Sequence, residues 1–237
     1  MRILITNDDG VHAAGLLPLI RWASKLGEVT TIVPKVEQSG KSHGIEIHKA
    51  FEAKLVSLAP DVTVWAVDST PADCVRFGIL GMNMEFDLVI SGVNRGLNIG
   101  ADIMYSGTVA AIFEAANLGV KAMALSTSPE YYAHAVEDLD RVYDYITKRK
   151  LFELNDLYNI NIPANASEIR ITRQGGPYYS DDFIPQENDM YLPHGMSVWV
   201  NRNNPELDTD TVLADHCISI SPLTVERTNL KVFELLK

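Results

Sequence analysis

Ile3-Leu4-Ile5-Thr6-Asn7-Asp8-Asp9-Gly10 opens the chain as a short apolar strand that ends in two adjacent carboxylates and a glycine. Neighbouring side chains on a strand point to opposite faces. Asp8 and Asp9 can serve one ligand only if the chain leaves the strand and turns there, as Asn7 and Gly10 favour. By itself the stretch fits equally well a polar strand-to-helix turn with Asp9 as a cap. The next residues decide the fold. Ala14 to Ala23 carry apolar residues at helical spacing, with Pro18 suited to a first turn and Gly27 to a stop. Val29-Thr30-Thr31-Ile32-Val33-Pro34 is rich in β-branched residues and reads as a buried strand. Strand, helix and strand on short links make a βαβ unit, which predicts a parallel sheet with a right-handed crossover. Carboxylates at the carboxyl end of its first strand stand where such sheets place their ligands.

The alternation continues downstream. Phe86 to Ser91 and Lys121 to Thr127 read as buried strands, Val109 to Ala116 as a helix, and Tyr131 to Lys150 as one long amphipathic helix. Ile45 to Ile47, Ala53 to Leu58 and Val62 to Val67 read as further strands, some antiparallel at a sheet edge. Thr70-Pro71-Ala72-Asp73 carries the marks of a capped helix start. The pattern predicts an α/β fold: a Rossmann-like, mostly parallel sheet with helices on both faces. Beyond Leu157, Tyr158 to Ile162, Glu168 to Arg173 and Ser197 to Asn201 read as strands with no helix between them. Gly175 to Pro193 reads as an extended hairpin or arm, Ile218 to Leu223 alternates with period two, and Asn229 to Leu236 reads as a short helix or tail. The chain therefore divides into a core of residues 1–157 and a β-rich C-terminal extension of residues 158–237. An arm of this kind packs on a second subunit, so a homo-oligomer is expected.

At 237 residues and 46% hydrophobic composition, the chain can bury a large core. A formal net charge of −11 argues against a nucleic-acid polymer as partner, because that needs a basic face. No apolar run is long enough to span a membrane, and the N-terminus shows no basic region or cleavage site. The two cysteines, Cys74 and Cys217, sit in apolar settings and are expected as buried thiols of a reducing, cytoplasmic compartment.

Three strand ends converge on one edge of the predicted sheet. The first brings Asp8 and Asp9, the second the Ser/Gly/Lys-rich loop with Ser39, Ser42 and His43, and a later one Asn94 and Asn98 in a long glycine-rich loop. Carboxylates, a hydroxyl and amide oxygens form an oxygen-dominated set, which suits Mg²⁺, Mn²⁺ or Ca²⁺ rather than structural zinc. Ser106, Gly107 and Thr108 open a helix whose free N–H groups and dipole favour phosphate, while Ser106 and Thr108 also fit plain N-capping. The P-loop spacing is absent.

Taken in order, Asn7-Asp8-Asp9-Gly10, Gln38-Ser39-Gly40-Lys41-Ser42, Thr70-Pro71-Ala72-Asp73-Cys74, Ser91-Gly92-Val93-Asn94-Arg95-Gly96-Leu97-Asn98 and Tyr105-Ser106-Gly107-Thr108-Val109-Ala110-Ala111 resemble the motif series of the SurE family of metal-dependent nucleotidases. Thr209-Asp210 and Ser219-Ile220-Ser221-Pro222-Leu223 continue the resemblance to the C-terminal end. Ala14 and Ser69 depart from it where the family often has proline and glycine, and Gly175 to Pro193 match loosely. The resemblance implies hydrolysis of nucleoside 5'-monophosphates, of 3'-monophosphates and of short polyphosphate. It implies one divalent metal ion per subunit, Mg²⁺ or Mn²⁺, with Ca²⁺ able to replace it in a crystal. Asp8, Asp9, Ser39 and Asn94 would hold the metal, and Asn98, Ser106, Gly107 and Thr108 the phosphate, with Ser42 beside them. A homodimer or homotetramer through a swapped C-terminal element is implied as well.

The expected chemistry is an in-line attack of water on phosphorus, with the cation as Lewis acid, Asp8 or Asp9 orienting the water, and Asn98 and the helix start facing the equatorial oxygens. His43 and Ser42 are candidates for the general acid. A haloacid-dehalogenase-type phosphatase would need Asp-x-Asp, whereas these aspartates are adjacent. A non-catalytic nucleotide sensor would use the same glycine-rich loop but would not require Asp8, Asp9, Ser39 and Asn94 together.

Overall fold

The computed structural model describes all 237 residues. In chain order the strands and helices are β1 (Arg2–Thr6), α1 (Leu16–Ala23), β2 (Glu28–Pro34), β3 (Ala53–Ala59), β4 (Val62–Val67), α2 (Pro71–Arg76), β5 (Leu88–Arg95), α3 (Gly107–Asn117), β6 (Lys121–Thr127), α4 (Leu139–Lys148), α5 (Leu151–Leu154), β7 (Leu157–Ile162), β8 (Ile169–Ile171), β9 (Tyr179–Pro185), β10 (Tyr191–Ser197), α6 (Asp208–Leu213), β11 (Ile218–Pro222) and α7 (Leu230–Leu236). Nine strands form one sheet in the order β3-β4-β2-β1-β5-β6-β7-β11-β8. From β4 to β7 every pairing is parallel, while β3 and β11 join antiparallel. The chain builds outward from β1 to β2 and β4, then returns to place β5 on the other side of β1. The sheet's switch point therefore lies between β1 and β5, the crevice where open α/β sheets take ligands.

Alternation along the strands builds the two faces. Ile3, Ile5, Ile90, Met123 and Leu125 face one layer with Leu16, Leu19, Leu139, Val142 and Ile146 of α1 and α4. Leu4, Val89, Ala122 and Ala124 face the other, with Cys74 and Val75 of α2 and Val109, Ile112 and Ala115 of α3. Helix α3 packs on β5 and β6, and small residues such as Ala111, Ala115, Ala122 and Ala124 let it lie close to the sheet. At Thr70 the predicted cap forms: its hydroxyl accepts from Asp73 N at 3.1 Å, with Pro71 in the first helical position.

Beyond β7, the C-terminal strands β11 and β8 extend the same sheet. Strands β9 and β10 leave it as a separate antiparallel hairpin, all of whose residues are exposed. No helix is long and apolar enough to cross a membrane.

The structure departs from the sequence-based expectations in four places. Ile45 to Ile47 form no strand; they find no pairing partner, and Glu46 N instead donates to Asp73 Oδ2 at 2.8 Å. The helix expected from Tyr131 begins only at Leu139, after two 3₁₀ turns at Pro129–Tyr131 and Ala135–Asp138. Those turns let the Tyr132 hydroxyl reach Gly15 N, where it accepts at 3.0 Å. Residues 198–201 are irregular and the second arm strand ends at Ser197. A short helix, α6, interrupts the C-terminal strands.

Candidate active site

The β1 strand stops at Thr6 because Asn7 closes a turn with Gly10: Asn7 Oδ1 accepts from Gly10 N at 3.1 Å and its Nδ2 donates to Gly10 O at 3.0 Å. The turn presents both aspartates at the carboxyl edge in different environments. Asp8 is buried, and its Oδ1 accepts from Thr108 Oγ1 at 2.5 Å. Burial pushes its carboxyl up to about 6, against the pull of the Thr108 hydroxyl and with the help of the Asp9 charge. Asp9 is more open. Its carboxyl is also raised by burial, while the Arg95 amide, which donates to its Oδ2 at 3.1 Å, pulls the other way. The first turn of α3 abuts Asp8 so closely that a Cβ on Gly107 would lie 3.1 Å from Asp8 Cβ and 3.2 Å from Pro71 Cγ.

Each predicted site residue has a definite place. Gln38 N donates to Asp8 O at 2.7 Å, which draws the β2 loop onto the aspartate turn and leaves Ser39 at its rim, its hydroxyl donating to Glu37 Oε1 at 2.7 Å. Ser42 N donates to Tyr105 O at 3.1 Å, so the same loop also touches the approach to α3. Asn94, at the end of β5, donates its amide to Gly96 O at 2.8 Å and leaves Oδ1 without a protein donor. Ser106 caps α3, accepting from Val109 N at 3.1 Å. Thr108 is fully buried and its hydroxyl is engaged by Asp8, so it is the backbone of Thr108 that belongs to the helix start expected to face phosphate. His43 is engaged too. Its Nε2 pairs with Glu114 at 2.8 Å, six residues past Thr108, which is about 9 Å of helical rise away from the aspartates. The imidazole thus anchors the loop to α3 instead of facing the aspartate turn. Arg76 Nη1 completes that anchor, 2.8 Å from Glu114 Oε1.

Asn98 sits above β6 and β7, donating its side-chain amide to Ser126 Oγ at 2.8 Å. Asn159 and Asn161 of β7 both donate to Asn98 O, at 2.8 and 2.9 Å, and Asn161 Oδ1 accepts from Asn98 N at 2.8 Å. Sequence reasoning missed these two residues; buried asparagines on an inner strand are the signal that would have found them. It also missed Tyr132, whose hydroxyl acts on Asp9 as well as on Gly15. Asp208 was missed as well: buried, it accepts from Gly100 N at 3.0 Å and Gly175 N at 2.8 Å, clamping the Asn94–Gly100 loop to the C-terminal segment.

No group of three or more His, Cys, Asp or Glu is placed to hold a metal. A harder donor set is present. Asp8 Oδ2, Asp9 Oδ1 and Asn94 Oδ1 make no hydrogen bond at normal distance to the protein, and Ser39 Oγ keeps its lone pairs while donating. Carboxylates with amide and hydroxyl oxygens fit a hard divalent cation.

Comparison with known proteins gives the family. Residues 3–181 match the family described as Survival protein SurE. The chain belongs to the SurE family. A relative from Rhodopirellula baltica named 5'-nucleotidase SurE is 34% identical, over 94% of this chain and 92% of its own. Another of that name, from Syntrophotalea carbinolica, is 36% identical over 100% and 96%. The crystal structure of the SurE protein from Aquifex aeolicus superposes with a TM-score of 0.81 at 27% identity, covering 100% of this chain and 98% of that one.

Proposed function

We propose that this SurE-family chain is a metal-dependent 5'-nucleotidase that hydrolyses nucleoside 5'-monophosphates to nucleoside and phosphate, and 3'-monophosphates and short polyphosphate by the same chemistry. The single observation that carries this reading is the meeting of Asp8, Asp9 and Asn94 with the start of α3 at the sheet's switch point.

Asp8, Asp9, Ser39 and Asn94 would hold one divalent cation per subunit, Mg²⁺ or Mn²⁺. When bound, such an ion polarises a phosphate oxygen and acidifies water. The chain supplies the rest. The free N–H groups at the start of α3, with Ser106 and Asn98, accommodate the phosphate oxygens and their developing charge. Ser42 borders the same site. Asp9, the more open carboxylate, orients the water that attacks phosphorus in line with the departing ribose oxygen. Asp8 keeps its place through Thr108. The acid that protonates the leaving oxygen is water or Ser42, since His43 is committed to Glu114.

The exposed apolar residues of the arm and tail, among them Phe183, Tyr191, Leu192, Phe233 and Leu236, support a homodimer or homotetramer built through the C-terminal extension, residues 158–237. Two buried free thiols fit a cytoplasmic protein. Phosphate release from AMP tests the proposal. It should be lost in EDTA and return with Mn²⁺; release that persists in EDTA, or none under any metal, overturns it.

A further inference from the structure

Two cavities flank the candidate site, and their chemistry differs. One, of about 700 Å³, lies beside Ser42 and Ser106 and is lined by the cationic Lys41 and Arg227. The other, of about 540 Å³, begins at Gly96 and Leu97, inside the loop that carries Asn94 and Asn98. The segments that follow β6 and β7 give it two further walls, so it opens at the same sheet edge as Asp8 and Asp9, and the base of the arm and the end of α6 close it. Pro129, Pro163, Tyr178, Tyr179 and Val212 give it an apolar and aromatic lining that contains no lysine or arginine. Such a cavity does not suit a phosphate. It suits the uncharged half of a substrate whose phosphate is held next door.

The aromatic wall is fixed in place. Tyr178 N and Tyr179 N both donate to Asp102 Oδ2, at 2.9 and 2.8 Å, and Ala101 N donates to Gly176 O at 3.1 Å. The base of the arm is thereby bound to the turn that leads into Ser106. The two tyrosine rings lie 4.4 Å apart. Tyr179 is half exposed and also lines a third cavity with Gly40 and Tyr105, next to Ser39 and Ser106. Its ring therefore borders the site on two sides. The polar groups nearby are Glu130, Asn165, His216 and Ser128, whose buried hydroxyl has no partner in the protein. These are groups that can meet the edge of a base or the hydroxyls of a ribose.

We infer that the cavity at the ends of β6 and β7 is the nucleoside subsite, and that the Tyr179 ring is the platform on which the base stacks. This rests on the nucleotidase reading. Stacking on one ring tolerates any base, because every base has a π-face, so broad base acceptance follows from the geometry.

The test compares AMP with glycerol 2-phosphate, which carries the same reacting group and no base. Wild-type protein is measured first with Mn²⁺; absence of AMP hydrolysis at that stage removes the nucleotidase reading itself. Given activity, Tyr179→Ala should raise the KM for AMP with little change in kcat. It should lower the ratio of kcat/KM for AMP to that for glycerol 2-phosphate by roughly 5- to 150-fold, the range of base–aromatic stacking. Tyr179→Phe, which keeps the ring, should preserve the ratio. A Tyr179→Ala protein that melts like wild type and keeps the wild-type ratio overturns the assignment, as does a Phe variant as impaired as the Ala variant.

Discussion

Replacing Asp8 by Asn should stabilise the metal-free protein while destroying its function. Asp8 is buried, with its carboxyl raised from 3.8 to about 6. The folded protein therefore holds a proton on Asp8 more tightly than the unfolded chain does. Stability associated with that proton is complete below about pH 4 and is lost as pH rises toward 6. A shift of this size corresponds to about 3 kcal/mol at pH 7 as an upper figure. Asn is nearly isosteric, stays neutral, and its Oδ1 can still accept from Thr108 Oγ1. In EDTA at pH 7, Asp8→Asn should raise Tm by roughly 6–12 °C, scaling from about 2–4 °C per kcal/mol for a chain of this size. The gain should shrink to near zero by pH 4. Mn²⁺ should stabilise the wild type and not the variant. Thermal melts at pH 4, 5, 6 and 7, with and without metal, give the comparison. A variant no more stable than wild type at pH 7 in EDTA, or a gain that does not depend on pH, refutes the account of Asp8 as a carboxylate held in a costly buried place for the sake of a cation.

Other consequences follow from the contacts around the site. Thr108→Val removes the hydroxyl donor to Asp8 and should weaken Mn²⁺ binding and kcat together, with Thr108→Ser restoring both; titration of Mn²⁺ against activity measures this. Asp208→Ala strips the acceptor from Gly100 N, Gly175 N and Thr209 N and should destabilise the fold by about 3 kcal/mol or more, since buried donors are left unpaired, as denaturant unfolding would show. Glu114 is held below its usual range, first by the His43 hydrogen bond and then by Arg76, against the effect of burial. Its contribution is therefore present above the usual glutamate range and lost as pH falls through the lowered value. Glu114→Gln should loosen the Ser39–His43 loop, seen as faster amide exchange there at pH 7.

Much of the fold was legible because its signals are local. The βαβ start, the Thr70-Pro71 cap and the alternation of β5 and β6 each depend on neighbouring residues, and all appear as expected. The aspartate turn was legible for the same reason. The failures concern residues whose role is set from a distance. Ile45 to Ile47 alternate like a strand, but a strand needs an edge to pair with, and β3 already occupies that side of the sheet. Tyr132 looks like one apolar position of a helix; its role comes from Gly15 and Asp9, far away in sequence. Asn159 and Asn161 matter only because Asn98 lies over them. Packing likewise turns the Thr108 hydroxyl to Asp8 and the His43 imidazole to Glu114, contacts that no local pattern announces.

The central claim is that Asp8 and Asp9 form the acidic half of a metal-dependent phosphatase site. Phosphate release from AMP by Asp9→Asn, in the presence of Mn²⁺ and beside wild type, tests it most directly, with circular dichroism to confirm that both are folded. Turnover should fall to a small residue of the wild-type rate while the fold is unchanged. A folded Asp9→Asn protein with undiminished, metal-dependent turnover would contradict the account.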